Sequence, residues 1–267
     1  MEDRINISGT QSARRILQLL RLLGERHKDG IKLTEIVQVT GLEPSTAHRL
    51  LACLVDERFA DKDMVTKAYR LDVEAMQLGL WSMSRVPLVS HFRSLMQRLA
   101  RITQEEIFLQ VREGDYGVCL HREAGGQNRK FFSIEVGGRR LLGIGAGGLA
   151  MLANLEDREI SDVYDRNRQA YERAGLSWPT LNAAVQRTRE HGYSQIQDIT
   201  TQGVSGLGFA FKASRSVIAS ISLGAATPLL PESRKHRLAA EIRLRIQEVA
   251  DLVARRAEGE MEDGSHA

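Results

Sequence analysis

Residues 33–55, LTEIVQVTGLEPSTAHRLLACLV, constrain the fold most, because they predict two helices joined by a glycine turn. Thr34 is placed to N-cap the first helix, and Gly41 supplies the left-handed conformation that a tight turn requires. Pro44 fits the first turn of the second helix, where its missing N–H leaves no hydrogen bond unmade. An apolar stripe at helical spacing predicts the buried face of that helix: Ala47, Leu50, Leu51 and Leu54.

The opposite face of the second helix is polar. Near its N-terminus, where a recognition helix meets base edges and phosphates, it carries Ser45, Thr46, His48 and Arg49. We therefore take these residues as candidates for contacting DNA. The alternative is an ordinary helical hairpin with a solvated face, since polar residues are common on one side of a helix.

The sequence on either side favours the DNA-binding alternative. Residues 10–30 predict another helix, with His27 and Lys28 in its last turn and Gly30 as its stop. One face of that helix carries Ile16, Leu17, Leu20 and Leu23. Residues 58–71, RFADKDMVTKAYRL, predict two short strands around a polar tip. Three helices followed by a hairpin predict a winged helix-turn-helix.

Overall charge does not by itself point to nucleic acid. The chain of 267 residues has a formal net charge of +3, and residues 1–85 contain thirteen Lys or Arg against twelve Asp or Glu. Any affinity for DNA must therefore depend on where the charges lie. The candidates for phosphate contacts are Arg14, Arg15, Arg49, Lys62 and Lys67, and for each the alternative is a solvated surface charge.

Composition favours a globular protein of the cytoplasm. Hydrophobic residues make up 42% of the chain, and no apolar run is long enough to span a membrane. The first residues, MEDRINISGTQ, lack the apolar core of a signal peptide. Cys53 and Cys119 are far apart and have no metal-like spacing. We therefore expect a cytoplasmic location without membrane association, and neither a cofactor nor a metal.

The rest of the chain predicts a connecting helix and a second domain. Val73, Met76, Leu80 and Met83 recur at spacings of three and four, which indicates either simple core or a seam between two copies of the chain. Pro87 marks the break after this helix. Antiparallel strands are predicted at residues 106–114, 116–125, 131–138, 208–213 and 216–225, and helices at 147–155, 160–175, 180–192 and 234–256. This pattern predicts a curved sheet flanked by helices.

The motifs ARRILQLLRLL, LTEIVQVTGLEPSTAHRLLACLV and the wing ending in YRL make residues 13–71 resemble the DNA-binding domain of the isocitrate-lyase-regulator (IclR) family of bacterial transcription factors. The order of elements that follows resembles the effector-binding domain of this family, which has a GAF-like fold. The resemblance implies an α+β chain. Its expected parts are a disordered N-terminus at residues 1–11, a winged helix-turn-helix at 12–71, a connecting helix at 72–86, an effector-binding α/β domain at 87–258 and a disordered tail at 259–267.

The resemblance also implies a ligand-responsive transcriptional regulator that binds a palindromic operator in double-stranded DNA, as a repressor rather than an activator. Members of this type dimerise on DNA through the connecting helix and the first domain, so we expect a homodimer or a homotetramer. Its other expected partner is a small-molecule effector. The competing class is a small-molecule sensor or enzyme whose winged helix only mediates protein contacts.

Residues 138–153, GRRLLGIGAGGLAMLA, satisfy the pattern G-x-G-x-x-G at Gly143, Gly145 and Gly148. A dinucleotide site is not favoured, because only RRLL precedes the pattern where a buried strand is needed, and the stretch downstream, where an acidic ribose ligand should follow, reads as more helix. Under the resemblance this segment is the small-residue loop that enters a helix beside the effector pocket, where free N–H groups favour an anion. The alternative is that the glycines serve close packing of the helix on the sheet.

Several residues depart from the family's pattern. Gly143, Gly147 and Leu149 stand where many members have histidine, serine and lysine, Ile196 where an acidic residue is usual, and Gly206 where a cysteine is usual. These replacements remove polar groups and volume, so we expect an aromatic or apolar carboxylic acid as effector rather than a small keto acid. The residues expected at the pocket are Leu141, Gly145, Ala146, Gly147, Ile196, Gly206, Ser220 and Ser222.

No catalytic residues are predicted. The segment GVSGLG fails the G-x-S-x-G pattern of a nucleophile elbow, because Leu207 stands where the last glycine is needed. Cys119 and His121 lie two residues apart on a predicted strand, but such a cysteine is more often a small buried hydrophobe. Glu105 and Glu106 are adjacent in sequence, which is a poor arrangement for paired carboxylate chemistry.

Overall fold

The computed structural model describes residues 9–85, 88–126, 134–199, 201–214 and 216–263. The chain divides into two compact units, Met1–Val86 and Pro87–Ala267, which we call the first and the second unit. Among the described helices, none combines the length and the apolar character needed to cross a membrane.

The first unit has a helix-turn-helix followed by a small sheet. Its elements in chain order are α1 (Gln11–Glu25), β1 (Ile31–Lys32), α2 (Leu33–Thr40), α3 (Pro44–Asp56), β2 (Ala60–Lys62), β3 (Ala68–Leu71) and α4 (Val73–Arg85). The sheet has the order β1-β3-β2 and is antiparallel. Strands β2 and β3 form the predicted wing, whereas β1 was not expected from the sequence.

Strand β1 also explains where α2 begins. Ile31 pairs with Tyr69 of β3, so the backbone up to Lys32 is extended. The helix therefore starts at Leu33 with Lys32 as its N-cap, and the prediction that Thr34 caps it was wrong. Gly41 ends α2 with a φ of 67°, as its position before a tight turn predicts.

Helix α1 confirms the predicted apolar face only in part. Leu23 is buried and Ile16 and Leu20 pack against the core as predicted, but Leu17 does not. Leu19, Leu22 and Leu23 are buried, whereas the side chain of Leu17 is 51% exposed. The 100° step between successive helical residues places Leu17 nearly opposite Leu19. The helix ends at Glu25, so the prediction that His27 and Lys28 lie in its last turn was also wrong. Both lie in the turn that leads to Gly30.

The second unit is an α/β domain built on one six-stranded antiparallel sheet with the order β6-β5-β4-β9-β8-β7. Its elements in chain order are α5 (Leu88–Thr103), β4 (Glu106–Glu113), β5 (Tyr116–Glu123), β6 (Arg139–Leu141), α6 (Ala146–Ala153), α7 (Asp157–Arg166), α8 (Arg168–Arg173), α9 (Trp178–His191), β7 (Ser194–Gln197), β8 (Val204–Lys212), β9 (Ile218–Ala226), a short 3₁₀ helix (Thr227–Leu229) and α10 (Glu232–Asp263).

The two faces of this sheet carry different helices. On one face α5 and α10 pack over a core that includes Phe92, Leu109 and Ile221. On the other face α6 lies against β8 and β9, with α9 beside it. Alternate residues of β9 divide accordingly, because successive side chains of a strand point to opposite faces. Ala219 and Ile221 join the first core, while Ser220 and Ser222 face α6.

The second unit departs from the predicted elements in four places, of which the first is strand β7, which was not expected from the sequence. Of the strand predicted at residues 131–138, positions 131–133 lie outside the described residues and 134–138 are not a strand, since Gly137 turns the chain with a φ of 82°. The edge strand beside β5 is instead β6. The helix predicted at 160–175 is broken at Asn167 into α7 and α8. Helix α10 continues to Asp263, beyond the start of the tail predicted at residue 259.

Candidate DNA-binding surface and ligand pocket

Helix α3 separates its apolar and polar residues cleanly. Its predicted stripe is buried throughout, with Ala47 and Leu51 at 0% exposure. On the other side Ser45, His48 and Arg49 are exposed, and Thr46 is half-buried. Pro44 occupies the first turn as predicted. The helix therefore presents a hydroxyl, an imidazole and a guanidinium to solvent from its first two turns.

The other predicted DNA-contacting residues lie on α1 and the wing. Arg14 and Arg15 are half-buried near the start of α1. Lys62 ends β2, and its Nζ lies 5.3 Å from the centroid of the Tyr69 ring, a cation–π distance. Lys67 is exposed just before β3, with a positive φ of 59°.

An Asx turn, which sequence analysis missed, orders the tip of the wing. Asp63 Oδ1 accepts hydrogen bonds from the backbone N–H groups of Thr66 and Val65, both at 2.8 Å. These two bonds hold the pKa of the Asp63 carboxyl below its usual value, in the order Thr66 then Val65. The turn leaves Met64 74% exposed and Val65 90% exposed. Asp63 followed by Thr66 was a readable signal for this turn.

A cavity of about 40 Å³ lies in the second unit between the start of α6 and the sheet. We call it the α6 cavity. Its polar lining includes Gln110 of β4, Arg140 of β6 and Ser222 of β9, together with the first residues of α6. Its apolar lining is Phe108, Ile134, Ile196, Val204 and Leu223.

The structure brings most of the predicted pocket residues together at this cavity. Those that line it are Gly145, Ala146, Gly147, Ile196, Gly206 and Ser222. Leu141 does not line it, because its side chain packs in the core under α6 and α9. Ser220 lies just behind the lining, with its Oγ 2.8 Å from the place that a Cβ on Gly147 would take.

The glycines around α6 allow close packing of the helix on the sheet. A Cβ on Gly147 would lie 2.2 Å from Gln110 Oε1, and a Cβ on Gly208 would lie 2.2 Å from the carbonyl oxygen of Ala146. A Cβ on Gly206 would lie 3.0 Å from the carbonyl oxygen of Leu223. The space freed at these positions is therefore filled by neighbours. Within residues 138–153 this supports the close-packing explanation at Gly147, while the explanation by anion binding stays a prediction.

Sequence analysis missed Arg140. The Arg139–Arg140 pair looks like ordinary surface charge, but an edge strand sends the two side chains in opposite directions. Arg139 pairs with Glu113 at 3.1 Å, while Arg140 lines the α6 cavity. Burial lowers the pKa of Arg140, an effect that the nearby Cys119 opposes.

The residues considered for catalysis are buried or form hydrogen bonds and ion pairs with their neighbours. Cys119 is fully buried, and burial raises the pKa of its thiol to about 11, so it is neutral at physiological pH. Its Sγ donates to the carbonyl oxygen of His121, whose Nε2 lies 2.8 Å from Glu123. Glu105 pairs with Arg234. Burial raises the pKa of Glu106 even though Arg122 lies beside it.

No metal centre is found in the part of the chain that the structure describes, since no three His, Cys, Asp or Glu residues are grouped so as to hold an ion.

Comparison with family models decides the classification. The model of the IclR helix-turn-helix domain matches residues 12–64, and that of the bacterial transcriptional regulator IclR C-terminal domain matches residues 81–250. This chain belongs to the IclR family. Its first unit is therefore the DNA-binding domain of a family of transcriptional regulators, and its second unit is the family's C-terminal domain.

Individual relatives agree with this assignment. The HTH-type transcriptional regulator BhcR of Paracoccus denitrificans is 28% identical over 230 residues, covering 85% of this chain and 81% of that protein. The transcriptional repressor IclR of Escherichia coli is 24% identical over 228 residues, covering 84% and 83%. A crystal structure of an IclR transcriptional regulator from Alicyclobacillus acidocaldarius superposes with a TM-score of 0.76 at 21% identity, covering 92% of this chain and 98% of that one. All three are named as transcriptional regulators or repressors.

Proposed function

We propose that this protein is a ligand-responsive transcriptional regulator that binds a palindromic operator with its first unit and a small organic acid with its second. The observation that carries the proposal is the division of α3. All of its apolar stripe is buried, while Ser45, His48 and Arg49 are exposed beside the glycine turn. A second helix with this division places its N-terminal side chains in the major groove.

The polar and basic residues of α3, α1 and the wing are assigned to different parts of the operator. Arg49 and His48 are suited to base edges, while Arg14, Arg15, Lys62 and Lys67 are suited to phosphates. Since the first unit is nearly neutral overall, specificity depends on these placed side chains. Each phosphate contact that a variant loses should lower the slope of log K against log salt by about 0.9.

We propose a homodimer, whose two-fold symmetry matches that of a palindromic operator. Helix α4 exposes Met76 and Leu80, each at 59%, on one side four residues apart, and Trp81 at 63%. Large apolar side chains repeated along one helix are typical of a surface that pairs with another copy. Pairs of dimers joined through the second units would give the homotetramer.

We further propose repression rather than activation, and a cytoplasmic location. The relative from Escherichia coli reported above is named a repressor, which supports the first. The proposed operator supports the cytoplasmic location, since bacterial DNA lies in the cytoplasm. Effector and operator would each favour one arrangement of the two units, so each would change the affinity of the other by the same factor.

The effector proposed for the α6 cavity is an organic acid with an apolar body. Five large apolar side chains and that of Ala146 line the cavity, which supports the apolar body. Glyoxylate, pyruvate and a set of aromatic and aliphatic acids can be compared by thermal shift. Stabilisation by the two small keto acids alone would contradict this preference.

Operator binding is tested with labelled duplexes from the intergenic DNA beside the gene. We expect a salt-sensitive, sequence-preferring complex, which Arg49→Ala weakens about tenfold to a hundredfold. Arg245→Ala in α10 is the matched control, because it removes an exposed arginine from the second unit. Absence of any such complex would defeat the proposal in favour of a sensor or enzyme whose winged helix mediates protein contacts.

A further inference from the structure

Another cavity lies in the second unit, between the end of α9, strand β7 and the start of α10. We call it the α9 cavity, and its volume is about 160 Å³. It is separate from the α6 cavity, because no described residue lines both. Neighbouring side chains of a strand point to opposite faces, so in β7 Gln195 lines the α9 cavity and Ile196 the α6 cavity. The polar lining of the α9 cavity includes Arg187, His191, Tyr193, Gln195, Glu232 and His236.

Hydrogen bonds order the uncharged part of this lining. Gln195 Nε2 donates to Tyr193 Oη at 2.9 Å, and the same oxygen lies 3.2 Å from His236 Nδ1. His191 Nδ1 lies 2.7 Å from the carbonyl oxygen of Arg187. A carbonyl oxygen only accepts, so His191 carries its proton on Nδ1, and Nε2 of the neutral ring is left as an acceptor. Rings held in this way can bind a ligand without first being ordered.

Two opposite charges line the α9 cavity without pairing with each other. The guanidinium of Arg187 has no hydrogen bond or ion pair in the part of the chain that the structure describes. A hydrogen bond from Lys235 holds the pKa of the Glu232 carboxyl below its usual value, so Glu232 is ionised at neutral pH. That bond uses Oε1, at 2.6 Å, whereas Oε2 lies 4.0 Å from His236 Nε2. The cavity therefore offers a guanidinium and a carboxylate oxygen to one occupant.

This pair of charges limits the chemistry of the occupant. A simple anion would meet Arg187 but would also face the carboxylate of Glu232, and a simple cation would face the guanidinium. A molecule that carries both charges satisfies the two groups together. By volume the cavity has room for roughly ten water molecules, and therefore for a small polar molecule.

We propose that the α9 cavity binds a free α-amino acid with a small polar side chain. The planar guanidinium of Arg187 matches the α-carboxylate, while Glu232 Oε2 and His191 Nε2 accept hydrogen bonds from the ammonium group. Gln195 and His236 bind the polar side chain. This site goes beyond the proposed function, because it is separate from both the α6 cavity and the DNA-binding surface.

The test measures dissociation constants of the full-length protein by calorimetry. The probes are L-serine, L-threonine and L-glutamine, each compared with its N-acetyl derivative, which has no ammonium group, and its α-amide, which has no carboxylate. We expect one or more of the amino acids to bind, and both single-charge analogues of each binder to be weaker by about tenfold or more.

Variants that remove one charge assign each end of the ligand to a residue. Arg187→Gln should weaken the amino acid about tenfold to a hundredfold and should affect the α-amide less, because that analogue has no carboxylate to lose. Glu232→Gln should weaken the amino acid and affect the N-acetyl derivative less. Glutamine at this position still offers an oxygen to Lys235, so the variant should melt near the wild-type temperature.

Three substitutions serve as controls. Arg158→Gln in α7 and Glu190→Gln in α9 remove exposed charges that do not line the α9 cavity, so amino-acid affinity should be unchanged. Gly147→Ser adds a side chain at the α6 cavity and should also leave this affinity unchanged.

Failure of all three amino acids to bind would overturn the inference, as would single-charge analogues that bind as tightly as their parents. Equal losses in the Arg158→Gln and Arg187→Gln variants would also overturn it. Loss of binding in Gly147→Ser without loss in Arg187→Gln would assign the amino acid to the α6 cavity instead. These measurements contain no DNA, so a protein that fails them and still binds operator leaves the proposed function intact.

Discussion

The exposed face of α3 and the α6 cavity use polar groups in opposite environments. On α3 the polar side chains lie in water, and the buried residues behind them only hold the helix in place. At the α6 cavity Gln110 and Ser220 are buried, and their positions depend on the absence of side chains at Gly147. A surface site can therefore be changed one residue at a time, whereas the buried site depends on the fit of its neighbours.

The largest effect is expected from the core behind α3. Leu51 is 0% exposed, so Leu51→Ala should lower the free energy of unfolding by about 2–5 kcal/mol through lost burial and a cavity. The control is Leu17→Ala, at a leucine that is 51% exposed, which should change stability by about 0.5 kcal/mol or less. Urea unfolding followed by circular dichroism measures both. Equal effects would show that α1 packs differently from the arrangement described.

A somewhat smaller loss is expected where α6 touches the sheet. The added Cβ of Gly208→Ala would meet the backbone of Ala146, which cannot move aside as a side chain can, so we expect a loss of about 3 kcal/mol. Gly79→Ala in α4 meets no atom within 4 Å and should be neutral or more stable by up to about 1 kcal/mol. A Gly208→Ala protein as stable as the wild type would contradict the close packing of α6.

A smaller effect is expected at Gly147. Gly147→Ser introduces a Cβ against the end of the Gln110 side chain, which can rotate, so the expected loss is about 1 kcal/mol. Gln110→Ala in the same chain should relieve the clash, and a double-mutant cycle measures the coupling. Additive effects of the two substitutions would mean that the residues do not compete for this space.

The smallest perturbation compares the two thiols. Cys53 on α3 is exposed and Cys119 is buried, so Ellman's reagent should modify Cys53 quickly and Cys119 only after unfolding. Cys53→Ser should abolish the fast phase.

The folded pKa of Cys119, about 11, is above its usual value of 9.0. Its neutral thiol therefore contributes stability below pH 9 that is lost as the pH rises towards 11. Fast modification of Cys119 in the native protein would contradict its burial.

Sequence reasoning succeeded where the period of a single helix determines which residues are buried. The spacing of Ala47, Leu50, Leu51 and Leu54 defined the buried face of α3, because a helix of known period leaves little choice. It failed at the start of α2, which is set by pairing with a strand far away in the sequence. Thr34 lost its capping role because β3 holds Ile31 and Lys32 extended, a pairing across nearly forty positions.

The α6 cavity was only half predictable for the same reason. Six of the eight expected residues line it, since the small-residue segment marks the start of a helix packed on a sheet. Arg140 could not be distinguished from Arg139 without knowing which side of β6 faces α6. The close packing at Gly147 could not be predicted either, because it depends on the side chain of Gln110, which lies on another strand.

The two-residue strand β1 has a mechanical consequence for the DNA-binding domain. By pairing Ile31 with Tyr69, it attaches the residue before the helix-turn-helix to the strand that carries the wing. The wing and the start of α2 are thereby coupled through main-chain hydrogen bonds, while α3 shares the leucine core with them. Under the proposed function, α2, α3 and the wing would therefore move together as one rigid body, so that their contacts with DNA would be made or released together.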